Sequence, residues 1–259
     1  SASDHDIFLV LTDDGGLGIP TPCTLQGSTN GNLFGGDPLE IMGGIGLGPA
    51  AANPVKVAIV IVKFIDFGPD AGLMKWVSFG GNRPDEFDTF SPTGYGHANA
   101  AGAEGVGAAP YTQTPGFFVL PPLIEPFSSA GGVPILFDTA GNRLADPEVR
   151  LKPGITAPDG TNTTFFGNDV EPDGFPNFFG TSAAAPHAAA VAALMLDANP
   201  NLTPTEIYEI MRDTAFDMDD PSTPAFDAGF DFGTGAGFIN ARKAVQEARK
   251  RSFFSFFSF

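Results

Sequence analysis

The chain has 259 residues, 42% hydrophobic and 17% charged, the balance of a globular protein with length for one large domain or two small ones. A formal net charge of −17 argues against nucleic acid and anionic membrane as partners. The one cysteine, Cys23, excludes an internal disulfide and a cysteine-rich zinc site, and no apolar run reaches transmembrane length.

The chain opens on Ser1-Ala2-Ser3-Asp4-His5-Asp6, with neither an initiator Met nor a basic-then-apolar leader, so it reads as a piece of something longer. Residues 1–90 read as a β-rich module. Ile7 to Leu11 is a strand candidate, and Asp13-Asp14-Gly15-Gly16 is a turn. Val55 to Phe64 is β-branched and apolar on both faces, which predicts an interior strand. Leu73 to Phe79 makes a third strand, closed by Gly80-Gly81-Asn82. Strands joined by such turns, with no helical period, predict a small β-sandwich.

From Ser91 the character changes to small residues, through Gly96 to Ala103 and on to Gly105-Val106-Gly107-Ala108. The stretch that organises the rest is Phe178-Phe179-Gly180-Thr181-Ser182-Ala183-Ala184-Ala185-Pro186-His187. It reads as a tight turn delivering a serine onto the first turn of a helix, with Gly180 opening the turn and Thr181 as N-cap. Amides there have no partner a turn earlier, and with the helix dipole they suit a developing oxyanion. Residues 188–196 are apolar all round, which predicts a helix buried in a core. Next comes a second helix with Thr203 as N-cap, Pro204 at N1 and Glu206 completing a capping box, stapled by Leu202 and Ile207. A third helix spans 241–251, basic at its end, and the Phe/Ser tail 252–259 reads as disordered or aggregation-prone.

The decapeptide resembles the serine motif of the subtilases, the subtilisin-like serine proteases, in which Gly-Thr-Ser-x-x-x-Pro-His carries the nucleophile. By spacing alone it also fits an Ala-rich core helix with a Ser/Thr cap. Further segments occur in the family's order: Val106-Gly107-Ala108, Phe127-Ser128-Ser129-Ala130-Gly131, and Lys152-Pro153-Gly154-Ile155-Thr156-Ala157-Pro158-Asp159-Gly160. Phe232 to Asn240 resembles the segment before a subtilase's last helix. The resemblance implies an α/β fold, a partial subtilisin-like three-layer structure with a parallel sheet, here preceded by the sandwich-like module. It implies that residues 91–251 are the C-terminal half of a peptidase domain and that Ser182 is the catalytic residue.

A serine hydroxyl needs a base, and the base an orienting group. The family's Asp, His and oxyanion Asn motifs lie N-terminal to the serine, and none of them stands in this sequence. His187 follows Ser182 by about a turn and a half and should face elsewhere. His97, in a glycine-rich loop, is the other stand-in for the base, and the related sedolisins use Glu there. Asp213, Asp217, Asp219, Asp220, Asp227 and Asp231 could hold calcium or form a solvated acidic loop, and no other cofactor is expected. Two functions follow from the resemblance. One is a secreted serine endopeptidase, extracellular or in the cell envelope, acting on protein or peptide with the N-terminal half of its own domain. The other is a subtilase-derived binding or structural module without a triad.

Overall fold

The computed structural model describes residues 4–29, 39–43, 54–63, 72–78, 85–86, 89, 91–165, 167–220 and 223–255, with side chains as far as 251. The chain divides into two compact units, Ser1–Trp76 and Val77–Phe259. Among the described residues no helix is long and apolar enough to cross a membrane.

In the first unit, β1 (His5–Asp13) is the central strand between β2 (Cys23–Ser28) and β3 (Lys56–Lys63), both antiparallel to it. Alternating aliphatic residues pair across β1 and β3, Ile7 opposite Ile61 and Leu9 opposite Ile59. The expected turn forms at Asp13–Gly16, where the Asp13 and Asp14 carboxylates accept from the Gly15 and Gly16 amides at 3.0 and 2.9 Å. Three expectations change. Among the described residues β3 is an edge strand, not an interior one, and its Val57, Ile59, Val60, Ile61 and Val62 are all exposed. Residues 73–78 form no strand, and Phe79 lies outside the described residues. Among the described residues the unit holds one sheet, where a sandwich needs two facing sheets.

In the second unit, β4 (Val106–Pro110) lies parallel to β7 (Ile155–Asp159), in register from Val106 opposite Ile155 to Pro110 opposite Asp159. Between them run an antiparallel pair, β5 (Ile135–Phe137) and β6 (Arg143–Glu148). A second short pair, β8 (Thr161–Asn162) and β9 (Asn177–Phe178), follows β7. The far edge of β7 is met by residues 237–239: Thr156 N–H donates to Gly237 O at 2.9 Å and Ile239 N–H to Thr156 O at 2.8 Å. The architecture is therefore α/β, a parallel sheet with small antiparallel sheets around it.

The helices are α1 (Thr181–Ala198), α2 (Pro204–Asp213) and α3 (Ala241–Ser255). The core joins Ala108, Ile155 and Ala157 of the sheet to Ala184, Ala188, Val191 and Met195 of α1, with Ile207, Ile210 and Met211 of α2 and Ala244 and Ala248 of α3. Ala109, Met218 and Phe238 form a smaller cluster, with Ile124 and Phe216 packed against it. The burial expected of α1 is met on one stripe only. Ala185, Ala189, Ala190, Ala193, Leu194 and Leu196 are exposed, Leu194 by 54%. A helix apolar all round has the composition to be covered on every side. Among the described residues one side is covered.

α2 forms as its sequence predicts. Glu206 N–H donates to Thr203 Oγ1 at 3.3 Å, Thr203 N–H returns a bond to Glu206 Oε2 at 2.8 Å, and Leu202 and Ile207 are both buried in the core. Arg212 near its end grips Glu104 with two bonds, at 2.5 and 3.3 Å. Thr203→Ala should cost about 1 kcal/mol and lower the melting temperature by about 2–4 °C, read by circular dichroism. α3 starts on Asn240, whose side chain accepts from Lys243 N–H at 3.1 Å. It runs four residues past the expected end at 251, so the tail is helical through Ser255, and 256–259 lie outside the described residues.

Candidate active site

Ser182 is the second residue of α1, exposed to solvent. The helix begins differently from the sequence expectation. Gly180 is the N-cap, at φ 125° and ψ 156°, and Thr181 is already helical, with no side chain capping the turn. That backbone conformation is open in practice to glycine alone. The Gly180 carbonyl takes the first helical bonds, from Ala183 N–H at 2.8 Å and Ala184 N–H at 3.2 Å. The Phe178 carbonyl, four residues before Ser182, is occupied by Gly160 N–H at 2.8 Å. Ser182 N–H donates to no acceptor among the described residues, as expected for a first-turn amide. Its hydroxyl likewise makes no hydrogen bond to a described residue.

Neither His187 nor His97 is hydrogen-bonded to Ser182. His187 Nδ1 donates to Ala183 O of its own helix at 2.8 Å, since a carbonyl can only accept, and this fixes the ring a turn beyond Ser182. His97 is exposed on the 3-10 turn Gly96–Asn99, and no hydrogen bond joins it to Ser182. The acidic loop is engaged with itself. Asp217 accepts from Gly229 N–H, Asp219 from Asp227 N–H, Asp227 from Asp220 N–H, and Asp231 from Gly233 and Thr234 N–H. Among the described residues no three Asp, Glu, His or Cys side chains converge as a metal site.

The residues that do gather beside the serine turn include two the sequence reading did not single out. Asp159, fully buried at the end of β7, accepts the Gly180 N–H on Oδ2 at 2.6 Å. Glu125 lies against it. Burial and the neighbouring Asp159 push the Glu125 carboxyl up to about 7. Burial also raises Asp159, against the pull of the Gly180 N–H and of Glu125. Two carboxyls in contact do not both ionise cheaply, so Glu125 keeps its proton up to about pH 7. The available signal was Asp159 itself, a carboxylate in the third inward position of a strand whose other two, Ile155 and Ala157, are core. Nothing in the sequence links it to Glu125.

Residues 120–237 match the family model described as "Subtilase family". A subtilisin-like protease of Arabidopsis thaliana (SBT1.2) is 33% identical over 122 residues, covering 42% of this chain and 16% of that protein. Bacillopeptidase F of Bacillus subtilis is 35% identical over 99 residues, covering 38% of this chain and 6% of its own length. Among solved structures, fervidolysin from Fervidobacterium pennivorans is 25% identical with a TM-score of 0.39, over 58% of this chain and 20% of that one. The chain thus spans a small fraction of the length of the curated relatives it matches. The segment that carries Ser182, residues 120–237, is similar to the subtilase family.

Proposed function

We propose that this chain is the nucleophile-bearing part of a serine endopeptidase that cuts peptide bonds through an acyl-enzyme on Ser182. One observation carries the reading: a single residue, at a helix N-terminus inside the family-matching segment, presents both an exposed hydroxyl and an unbonded backbone N–H. The hydroxyl oxygen attacks the scissile carbonyl carbon as a base takes its proton. The carbonyl oxygen becomes an oxyanion and accepts from Ser182 N–H, with the α1 dipole behind it. Collapse expels the amine, which takes the proton from the base. Water, activated by the same base, then releases the acyl group.

The base, the group that orients it and a side-chain donor for the oxyanion come, in this reading, from the N-terminal half of the same catalytic domain. The exposed apolar stripe of α1 supports it, because Ala185, Ala189, Ala190, Ala193 and Leu194 form a face suited to burial against that half. Protein or peptide is the substrate, and the setting is extracellular or the cell envelope, as befits a family of secreted proteases. The alternative is a binding or structural module without catalysis, and it is favoured by the absence, among the described residues, of any base bonded to Ser182.

A fluorophosphonate probe separates the two. Full-length protein should be labelled at Ser182 and the isolated chain almost not at all, with the label lost in Ser182→Ala. Full-length protein that stays unlabelled would establish the non-catalytic module. Strong labelling of the isolated chain would mean that a base is present here after all.

A further inference from the structure

The start of α1 lacks the support a helix N-terminus ordinarily has. Its N-cap is a glycine with no side chain to accept an orphan amide, and the residue after it makes no capping bond. The turn that carries Ser182 is instead tied to the sheet. One tie is the β8–β9 pairing, in which Thr161 lies opposite Phe178. The other is the Asp159 carboxylate on the Gly180 N–H, one residue before the helix begins.

Asp159 is an unusual occupant of its position. The alternation of β7 turns Ile155, Ala157 and Asp159 to the same side, and the first two are in the apolar core against α1. All three have zero exposure. A carboxylate placed there is costly unless its oxygens are satisfied. Oδ2 is satisfied by Gly180, whereas Oδ1 is buried and receives no bond from any N–H or hydroxyl among the described residues. The Glu125 carboxyl lies against the Asp159 side chain. A proton on Glu125 would supply the donor that Asp159 lacks. The backbone of Glu125 is itself anchored, its N–H donating to Ala108 O of β4 at 2.8 Å, so the partner is held in place.

We propose that Asp159 is the positioning residue of the Ser182 turn and that protonated Glu125 holds it in place. Its consequence for catalysis rests on the assignment of Ser182 as nucleophile; its structural content does not. The Asp159–Gly180 bond fixes the direction of the N-cap peptide. That peptide sets where the first turn of α1 points, and with it the Ser182 hydroxyl and N–H. The groups around Asp159 are Glu125 from the loop after β4, the Gly180 amide, and His187 from α1, whose charge favours the carboxylate.

The direction of the pH effect follows. A free glutamic acid loses its proton near 4.5, while Glu125 in the fold keeps it up to about 7. The stabilising contact is therefore intact at low pH and is lost as pH rises through about 7. Above that, two carboxylates face one another and the grip on Gly180 loosens. A catalytic base behaves oppositely, gaining competence as it deprotonates, so the two effects separate.

The test has two readouts. In the chain itself, the Gly180 amide resonance should move with a midpoint near pH 7. In Glu125→Gln, whose amide donates to Asp159 at every pH, it should stay flat from pH 5 to 9. Asp159→Asn, which keeps an acceptor for Gly180 and a donor for Glu125, should flatten it too. In full-length protein, the labelling rate of Glu125→Gln relative to wild type should rise about tenfold between pH 6 and 9, within the range that small misplacements of a reacting group produce. A Gly180 amide that does not titrate, or titrates unchanged in Glu125→Gln, overturns the proposal. If that amide behaves as expected while full-length wild type is never labelled, the nucleophile assignment fails and the positioning of the turn stands.

Discussion

Ser182→Ala in the full-length protein will lower kcat by about 10⁴- to 10⁶-fold, the scale seen when a serine nucleophile is removed, and leave KM within a few-fold of wild type. Ser182 is exposed at the mouth of the helix and bonded to no described neighbour, so its hydroxyl holds nothing else in place. Alanine preserves the helix and the backbone N–H proposed to serve the oxyanion, and removes only the proposed attacking oxygen. An interaction made only in the transition state appears in kcat. Steady-state kinetics on a peptide substrate, with a melt to show unchanged folding, makes the measurement. A proportionate rise in KM with kcat intact would place Ser182 in substrate binding instead.

Gly237→Ala should remove cooperative folding of the second unit. Gly237 sits at φ 109°, and a Cβ there would stand 2.1 Å from the Phe216 carbonyl oxygen and 2.8 Å from its carbon. Those are backbone atoms, fixed because Phe216 and Phe238 exchange two hydrogen bonds at 2.7 and 2.8 Å. Gly237 O also accepts from Thr156 of β7. Relief of the clash therefore breaks the link between the sheet and the segment leading into α3. The expected cost exceeds about 4 kcal/mol, a large share of a total near 5–15 kcal/mol. Gly141→Ala is the control: φ is 81°, but nothing lies within 4 Å of the added carbon, so about 1 kcal/mol is expected. Equal losses in urea melts of the two variants would show that backbone conformation, not the collision, governs both.

The parts of the fold that the sequence disclosed are those whose causes are local. The Thr203 capping box is complete within four residues, and β4, β7 and the serine turn are carried by short segments in a telling order. The disclosures failed where the cause lies elsewhere in the chain. Thr181 has the chemistry of a cap, yet the turn is governed by Asp159 across from it, so the helix starts one residue earlier. The apolar runs of β3 and α1 were correctly read as β-strand and helix. Burial was overestimated in both, because a pattern states what a segment can bury and not whether a neighbour is there to cover it. The Glu125–Asp159 pair is the sharpest case. Each acid is unremarkable alone, and its meaning comes from a contact that only the folded chain creates.

The open side of α1 is mostly methyl groups, broken by Pro186 near its start and by Leu194, Leu196 and Asp197 towards its end. Such a surface offers shallow grooves and few projections, so another helix or strand can approach to the short end of the usual packing distance, about 8 Å between axes. Fit then depends on the visitor, which must bring the bulky side chains. The same smoothness lets a visitor slide lengthwise until its own large residues meet the two leucines, which act as a stop near the end of the helix far from Ser182. Registration of whatever completes this surface is thus decided at the opposite end of α1 from the chemistry, about four turns away along an 18-residue helix.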